Sequence, residues 1–197
     1  MTTPIAWPRK AREVQDPHVD SSVWNDFAFR DGDIVIASYA RSAAAWMRQI
    51  VGQLLFGGAV DVPVSELSPW LESRRPPAAE TLAILAAQTH RRFVTTHLPV
   101  DALTYSSRAH YVCVDGARRG DWVPRDGFPP WSPSDHVRSW RAIGELPNLL
   151  RVRLADMRAD LGREIGRVAE FLGVPIYPDR WAAILEHCSF ECVERLG

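Results

Sequence analysis

The stretch Asp33-Ile-Val-Ile-Ala-Ser-Tyr-Ala-Arg-Ser-Ala-Ala-Ala-Trp46 decides the fold of this chain of 197 residues. Its β-branched residues predict a buried strand at Ile34–Ser38, and an amphipathic helix is predicted after Ser42. One face of that helix carries apolar side chains at helical spacing, namely Trp46, Met47, Ile50, Val51, Leu54 and Leu55. A strand that leads through a loop with one cation, Arg41, into a helix is typical of an anion-binding site. The reason is that free N–H groups and the dipole at a helix N-terminus favour negative charge.

Strands and helices alternate along the rest of the chain. Further strands are predicted at residues 92–96, 110–115 and 148–154. Further helices are predicted at residues 64–72, 78–88, about 134–143, 161–172 and about 178–187. Asp160 and Gly173 are suitable residues to begin and end the helix at 161–172. This alternation predicts an α/β fold in which helices cover a parallel sheet of about four to five strands.

Two regions depart from this regular pattern. In the last predicted strand, Leu150, Val152 and Leu154 alternate with Arg151 and Arg153. Buried parallel strands are usually apolar throughout, so one face of this strand is predicted to be exposed. Residues 116–133 are rich in glycine, proline and charge, and this composition predicts a loop.

Overall composition narrows the possible functions. The 23 basic and 24 acidic residues give a net charge of −1, which argues against a nucleic-acid partner. Three cysteines do not suggest a disulfide framework. The N-terminus lacks the apolar core of a signal peptide, and the apolar stretches are too short to span a membrane. We therefore expect a cytoplasmic protein with no membrane partner.

The segment His187-Cys-Ser-Phe-Glu-Cys192 suggests a metal site, because it holds one histidine and two cysteines. A structural zinc site needs four ligands, however, and the sequence has no second Cys/His pair at suitable spacing. The sequence therefore predicts that the protein holds no metal.

Several segments, in order, resemble motifs of the cytosolic-type sulfotransferases, in particular bacterial aryl-sulfotransferase-like members. Residues 32–47 resemble the family's phosphosulfate-binding loop, usually Y-P/A-K-S-G-T-T-W. Residues 92–99, Arg-Phe-Val-Thr-Thr-His-Leu-Pro, resemble R-F-x-K-T-H-L-P. Residues 154–157 (Leu-Ala-Asp-Met), the Glu-Phe-Leu-Gly at 170–173 and the His-Cys-Ser-Phe at 187–190 resemble later family landmarks.

The likeness covers nearly the whole chain, 1–197, as a single domain. It implies a P-loop-like fold of three layers and sulfuryl transfer from 3′-phosphoadenosine 5′-phosphosulfate to a hydroxyl or amine of a small acceptor. The sequence does not identify that acceptor.

Carried over residue by residue, the resemblance implies that His97 is the base that removes the acceptor's proton. It implies that the rings of Trp46 and Phe190 sandwich the adenine. The other implied cofactor-binding positions are Arg41, Ser42, Ala43, Ala44, Ala45, Cys188 and Ser189. A structural role in a loop is the alternative for His97, and core packing is the alternative for the two rings.

The chain also departs from the family pattern. Arg41 replaces the loop lysine, Ala43 replaces a glycine, Ala44 and Ala45 replace two hydroxyl residues, and Thr95 replaces the lysine two places before the histidine. A hydrogen bond to a charged group contributes about 1.5–3 kcal/mol, so these changes predict weaker binding of the cosubstrate. We also expect the chain to lack a helical segment near residues 116–126 and the family's C-terminal segment that binds the 3′-phosphate.

Two functions remain after this comparison. The chain is either a sulfotransferase, or an inactive relative that acts as a binding or scaffolding module or is a remnant. A kinase-type P-loop protein is disfavoured, because the sequence has no G-K-[ST] motif and no evident acidic magnesium ligand after a second strand. Loss of the covering segment could leave an apolar surface, so self-association is also possible.

Overall fold

The computed structural model describes residues 5–40, 43–116 and 129–196. Its sheet consists of four strands, β1 Ile34–Ser38, β2 Phe93–Thr96, β3 His110–Asp115 and β4 Leu149–Arg153. All neighbouring strands are parallel, in the order β2-β1-β3-β4. The predicted α/β fold with a parallel sheet of about four to five strands is confirmed.

Helices connect and cover these strands. They are α1 Val23–Asp26, α2 Ala44–Leu55, α3 Val64–Leu67, α4 Ala78–Ala87, α5 Pro133–Ala142, α6 Leu154–Ala159, α7 Leu161–Leu172, α8 Pro178–His187 and α9 Phe190–Leu196. A 3₁₀ turn lies at Val100–Ala102. In the described ranges no helix combines the length and the apolar character that crossing a membrane requires.

Alternating residues of the strands build two apolar layers. Ile34 and Ile36 of β1 pack in the cluster that includes α2 and α7. Val35 and Ala37 belong to the opposite cluster, which includes Trp24 of α1 and Trp140 of α5. Because both faces of β1 are covered, the strand is buried at every position, as its apolar sequence predicts.

Helix α3 is shorter than the predicted helix at 64–72. It ends at Leu67, and the backbone angles of Ser68, φ −122° and ψ 74°, are not helical. Pro69 follows, and a proline both lacks a backbone N–H and disfavours helical angles in the residue before it. Residues 69–72 therefore form a loop that approaches β2, where the Thr95 amide donates to the carbonyl oxygen of Pro69 at 3.0 Å.

The predicted exposed face of β4 is confirmed at Arg153, which is exposed and pairs with Asp156 at 2.8 Å. Arg151 is partly buried instead, because its guanidinium donates to the carbonyl oxygens of Trp140 and Gly144 at 2.8 and 2.5 Å. These two carbonyls lie at and just beyond the C-terminal end of α5, where cations are stabilised by free carbonyl groups.

Candidate active site at the carboxyl ends of the strands

The candidate site lies where β1, β2 and β3 end. In open parallel sheets, ligands bind beyond the carboxyl ends of the strands, where the chain passes into loops and helix N-termini. Here β1 ends at Ser38, β2 is followed directly by His97, and β3 is followed by Gly116. Ser38 pairs with Val114 across the β1–β3 ladder.

The start of α2 forms one wall of this site. Ala43 is its N-cap, is 4% exposed and has no polar side-chain group to cap the helix. Ala44 is buried, whereas Ala45 is exposed. The first N–H groups of an α-helix have no intrahelical partner, so this end favours an anion even without the hydroxyls of the family motif. Arg41 and Ser42, predicted to bind the cosubstrate, lie outside the described residues.

Both the ring and the backbone of His97 make hydrogen bonds. Its Nδ1 lies 2.9 Å from the carbonyl oxygen of Ser38 at the end of β1. A carbonyl oxygen can only accept, so Nδ1 carries the hydrogen and Nε2 keeps a free lone pair. The backbone N–H of His97 donates to Glu72 Oε1 at 2.7 Å, and the Trp70 ring lies 5.1 Å away. This tautomer is the one that a base needs.

The surroundings keep the His97 ring neutral. Desolvation of the partly buried ring is the main cause that lowers its pKa from 6.5 to about 4, and the charge of Arg48 lowers it further. The hydrogen bond to Ser38 acts in the opposite direction. At pH 7 the free protein therefore presents an unprotonated imidazole at the carboxyl ends of β1 and β2.

Glu72 supports this histidine and was not singled out by the sequence. It is 1% exposed and accepts hydrogen bonds from Trp24 Nε1, Trp70 Nε1, Thr96 Oγ1 and the His97 amide. Burial raises the pKa of the carboxyl group, and the donors lower it. Its position directly after the apolar Pro-Trp-Leu run could have drawn attention to Glu72. The sequence, however, predicted Glu72 as the last residue of a helix at 64–72, and the structure has it in a loop.

The predicted adenine-binding residues do lie together. Trp46 Nε1 donates to the Cys188 carbonyl oxygen at 2.7 Å, and the centroids of the Trp46 and Phe190 rings are 5.4 Å apart with 58° between their planes. Ser189 Oγ accepts from the Cys192 amide at 3.3 Å. A base sandwiched between two rings needs about 7 Å between them, that is two contact distances of about 3.5 Å. Phe190 must therefore move if an adenine is to enter.

An apolar cavity of about 440 Å³ opens beside the ends of β1 and β3. Tyr39, Val114 and Val137 line it, together with Arg138 and Arg141 of α5. The centroids of the Tyr39 and His136 rings are 6.1 Å apart. Burial is the main cause that lowers the pKa of His136, and the nearby His97 lowers it further. The cavity therefore lies at the same ends of the strands as the candidate base.

A second, basic cavity of about 310 Å³ lies next to the first and shares Gly116 and Arg141 with it. Arg153 and Arg158 also line it. Arg141 pairs with Asp115 at 3.0 Å, and the Arg158 guanidinium lies 5.6 Å from the centre of the Phe190 ring. This group was not predicted from the sequence, because its arginines come from three different elements.

We expect the free energy of unfolding to fall as the pH drops from about 6.5 to about 4. The pKa of His97 is lowered to about 4 in the folded protein, so the unfolded chain takes up the proton first. The contribution of His97 is complete above pH 6.5 and is lost toward pH 4, at up to about 1.4 kcal/mol per pH unit. Urea unfolding at several pH values measures this loss.

A His97→Gln variant serves as the reference for this measurement. His110 and His136, whose pKa values burial also lowers, and Glu72, whose pKa is raised, are retained in both proteins. The difference in slope between wild type and variant therefore isolates His97. Parallel stability curves between pH 6.5 and pH 4 would contradict the prediction.

In the described ranges no three His, Cys, Asp or Glu side chains are grouped to hold an ion. Within the segment 187–192, His187 Nδ1 lies 3.1 Å from the side-chain oxygen of Gln53, and Cys188 is fully buried. The two residues are therefore occupied by packing and hydrogen bonding.

Residues 31–115 and 128–194 match the family model described as a sulfotransferase domain. Among curated relatives, a glycolipid sulfotransferase of Mycobacterium bovis is 27% identical and covers 88% of this chain and 73% of its own length. Human sulfotransferase 2A1 is 24% identical, and the comparison covers 87% of this chain and 70% of the human protein. The mycobacterial comparison extends over 239 residues, more than the 197 of this chain, so the relative has additional residues within the compared region.

Solved structures show the same fold. Mouse sulfotransferase SULT7A1 complexed with PAP superposes with a TM-score of 0.67 at 18% identity, covering 88% of this chain and 70% of that one. A retinol dehydratase in complex with androsterone and the inactive cofactor PAP gives a TM-score of 0.65 at 19% identity, with coverages of 88% and 71%. The architecture described above is thus that of these proteins.

Proposed function

Because this chain belongs to the sulfotransferase family, we propose that it transfers a sulfuryl group from 3′-phosphoadenosine 5′-phosphosulfate to a hydroxyl or amine of a small acceptor. The hydrogen bond between His97 Nδ1 and the Ser38 carbonyl carries this proposal, because it leaves Nε2 unprotonated at the carboxyl ends of β1 and β2. The α2 N-terminus lies at the same edge of the sheet and suits the anionic donor.

In this proposal the acceptor oxygen or nitrogen attacks sulfur while its proton passes to His97 Nε2. The bond between sulfur and the bridging oxygen breaks, and adenosine 3′,5′-bisphosphate leaves with the electron pair. The chain contributes positioning and charge stabilisation, as in phosphoryl transfer. The free N–H groups of α2 face the charge that grows on the leaving phosphate.

Binding of the donor also improves the base. In the free protein the pKa of His97 is about 4, which makes it a weak proton acceptor. Negative charge on the donor favours the protonated imidazole and raises that pKa toward neutrality. A base acts best when its pKa lies near the working pH, so the chain is best prepared for proton transfer when the donor is present.

The nucleotide end of the donor is assigned to Trp46, Phe190 and the neighbouring basic cavity. Phe190 is the first residue of α9 and is partly exposed, so it can move more easily than the buried Trp46. Arg158 lies against Phe190 and could meet the 3′-phosphate. This arrangement would replace part of the phosphate contacts that the family motif has lost.

An inactive family member that acts as a binding or scaffolding module is the second candidate. Two observations favour it, the contact between the Trp46 and Phe190 rings and the alanines at the start of α2. Binding of the product nucleotide separates the two candidates, because the enzyme must bind it and the module need not.

Calorimetry with adenosine 3′,5′-bisphosphate tests the proposal. We expect the wild type to bind it, and we expect Phe190→Ala to weaken binding by about 5- to 150-fold, since stacking of a base on an aromatic ring contributes about 1–3 kcal/mol. Tyr177→Ala is the matched control, because Tyr177 is another aromatic residue near the C-terminus and is 62% exposed. No binding by the wild type at millimolar ligand would leave only the module.

A further inference from the structure

Position 95 of β2 carries no cation. Thr95 is 2% exposed, and its hydroxyl lies 3.2 Å from the Ser68 hydroxyl. Successive residues of a strand alternate in direction, so Thr95 points to the same side as Phe93, which packs against α2. The resemblance to the family motif implied a lysine here, beside His97. The side of β2 that faces α2 therefore needs another source of positive charge if it is to hold an anionic group.

Arg48 of α2 lies level with this position. A Cβ atom on Gly52 would be 3.7 Å from the Phe93 ring, so Gly52 lies against the start of β2. Helix α2 begins at the carboxyl end of β1 and runs opposite to the parallel strands. Arg48 precedes Gly52 by four residues and thus lies about 6 Å nearer the carboxyl ends. A strand covers that distance in about two residues, which brings Arg48 beside Thr95.

The direction of the side chain brings its charge close to the candidate base. Residues four apart lie on the same face of a helix, so Arg48 shares the face by which Gly52 approaches β2. Long side chains on a helix point toward its N-terminus, which here is the end that lies by His97. In agreement with this placement, the positive charge of Arg48 contributes to the lowered pKa of His97.

In the described part of the chain, the positive charge of Arg48 also has few compensating interactions. Its Nε is buried without a hydrogen-bond partner, and no described carboxylate forms an ion pair with it. Desolvation lowers the pKa of the guanidinium. A desolvated cation without a partner is costly, and an anion that binds beside it removes this cost.

We propose that Arg48 binds the sulfuryl oxygens of the donor beside His97 and takes over the electrostatic role of the missing cation at position 95. This inference rests on the proposed function and adds a residue to its site. Residues two apart on a helix do not face each other, so Arg48 points away from Trp46 of the same helix and acts on the sulfuryl group more than on the nucleotide. Its planar fork of donors suits two oxygens of one sulfuryl group.

The first test needs no turnover and uses inorganic sulfate as the probe. NMR titration of His97 is compared in wild type, Arg48→Gln, Arg48→Lys and the control Arg108→Gln. Arg108 is an exposed arginine that pairs with Asp31 near the amino ends of the strands, away from His97. Glu72 and His136, the other titratable groups that interact with His97, are unchanged in all four proteins.

We expect Arg48→Gln to raise the pKa of His97 in the absence of sulfate, because a nearby positive charge is removed. We expect sulfate to raise this pKa in the wild type, in Arg48→Lys and in the control, but not in Arg48→Gln. The inference is overturned if sulfate shifts the pKa of His97 equally in Arg48→Gln and in the wild type.

The second test compares turnover with nucleotide binding. We expect Arg48→Gln to lower kcat about 100- to 1,000-fold, as loss of one preorganised donor does. The Kd for adenosine 3′,5′-bisphosphate, which has no sulfuryl group, should change by less than about threefold. The inference would be overturned if Arg48→Gln weakened nucleotide binding by the same factor as it lowered kcat, or if kcat did not change. A wild type that neither binds the nucleotide nor turns over would contradict the proposed function alone, since the sulfate titration still decides the role of Arg48.

Discussion

His97→Gln is expected to lower kcat for sulfuryl transfer about 100- to 10,000-fold, the usual contribution of a positioned general base. Glutamine is close to histidine in size and keeps the backbone N–H that donates to Glu72. It cannot accept a proton near neutral pH, so the acceptor loses its base while the loop after β2 keeps its anchor. The folded state of this variant should persist at pH 7.5.

Sulfated product measured by mass spectrometry at steady state, with saturating substrates, gives kcat. His110→Gln is the matched control. His110 begins β3 at the amino ends of the strands, away from the candidate site, and its Nδ1 contacts Arg91 there. We expect its kcat to equal that of the wild type. If His97→Gln retained kcat within about tenfold, His97 would not be the base, and the alternative of a structural loop histidine would apply.

Arg92→Ala should lower the free energy of unfolding by about 3–5 kcal/mol, because it leaves a buried charge without its partner. Arg92 is 4% exposed and Asp33 is 2% exposed. The guanidinium donates to both carboxylate oxygens of Asp33, at 2.9 and 2.5 Å, and to the Ala28 carbonyl oxygen at 2.8 Å. It also lies 4.8 Å from the centre of the Phe27 ring. The pair joins the residue before β1 to the residue before β2.

Urea unfolding followed by tryptophan fluorescence measures this loss. Arg108→Ala removes an exposed ion pair with Asp31 near the same edge of the sheet, and we expect it to cost no more than about 1 kcal/mol. The double replacement Arg92→Met with Asp33→Leu should recover much of the stability, because it removes both charges together. A cost below about 1 kcal/mol for Arg92→Ala would mean that water reaches Asp33 and that the pair is not buried in solution.

Local patterns in the sequence predicted the elements whose causes are local. The apolar spacing after Ser42 predicted α2, and its predicted face is buried at Met47 and Ile50. Asp160 caps α7 through the Arg163 amide, and Gly173 ends it with φ 65°. These features depend on residues within about one helical turn, so a single sequence contains the information. Helix α6, with six residues, was too short to give a periodic pattern.

The sequence, through its ordered motifs, determined the α/β fold and the sulfotransferase family, and it predicted His97 and Trp46 as site residues. Only the tertiary structure decided which groups surround them. Ser38 and His97 are 59 residues apart, yet their contact fixes the tautomer of the ring. Arg48 comes level with Thr95 because α2 runs back along β2. Contacts of this kind follow from the order of strands in the sheet and the crossing of a helix over it, and residue spacing along one element does not encode them.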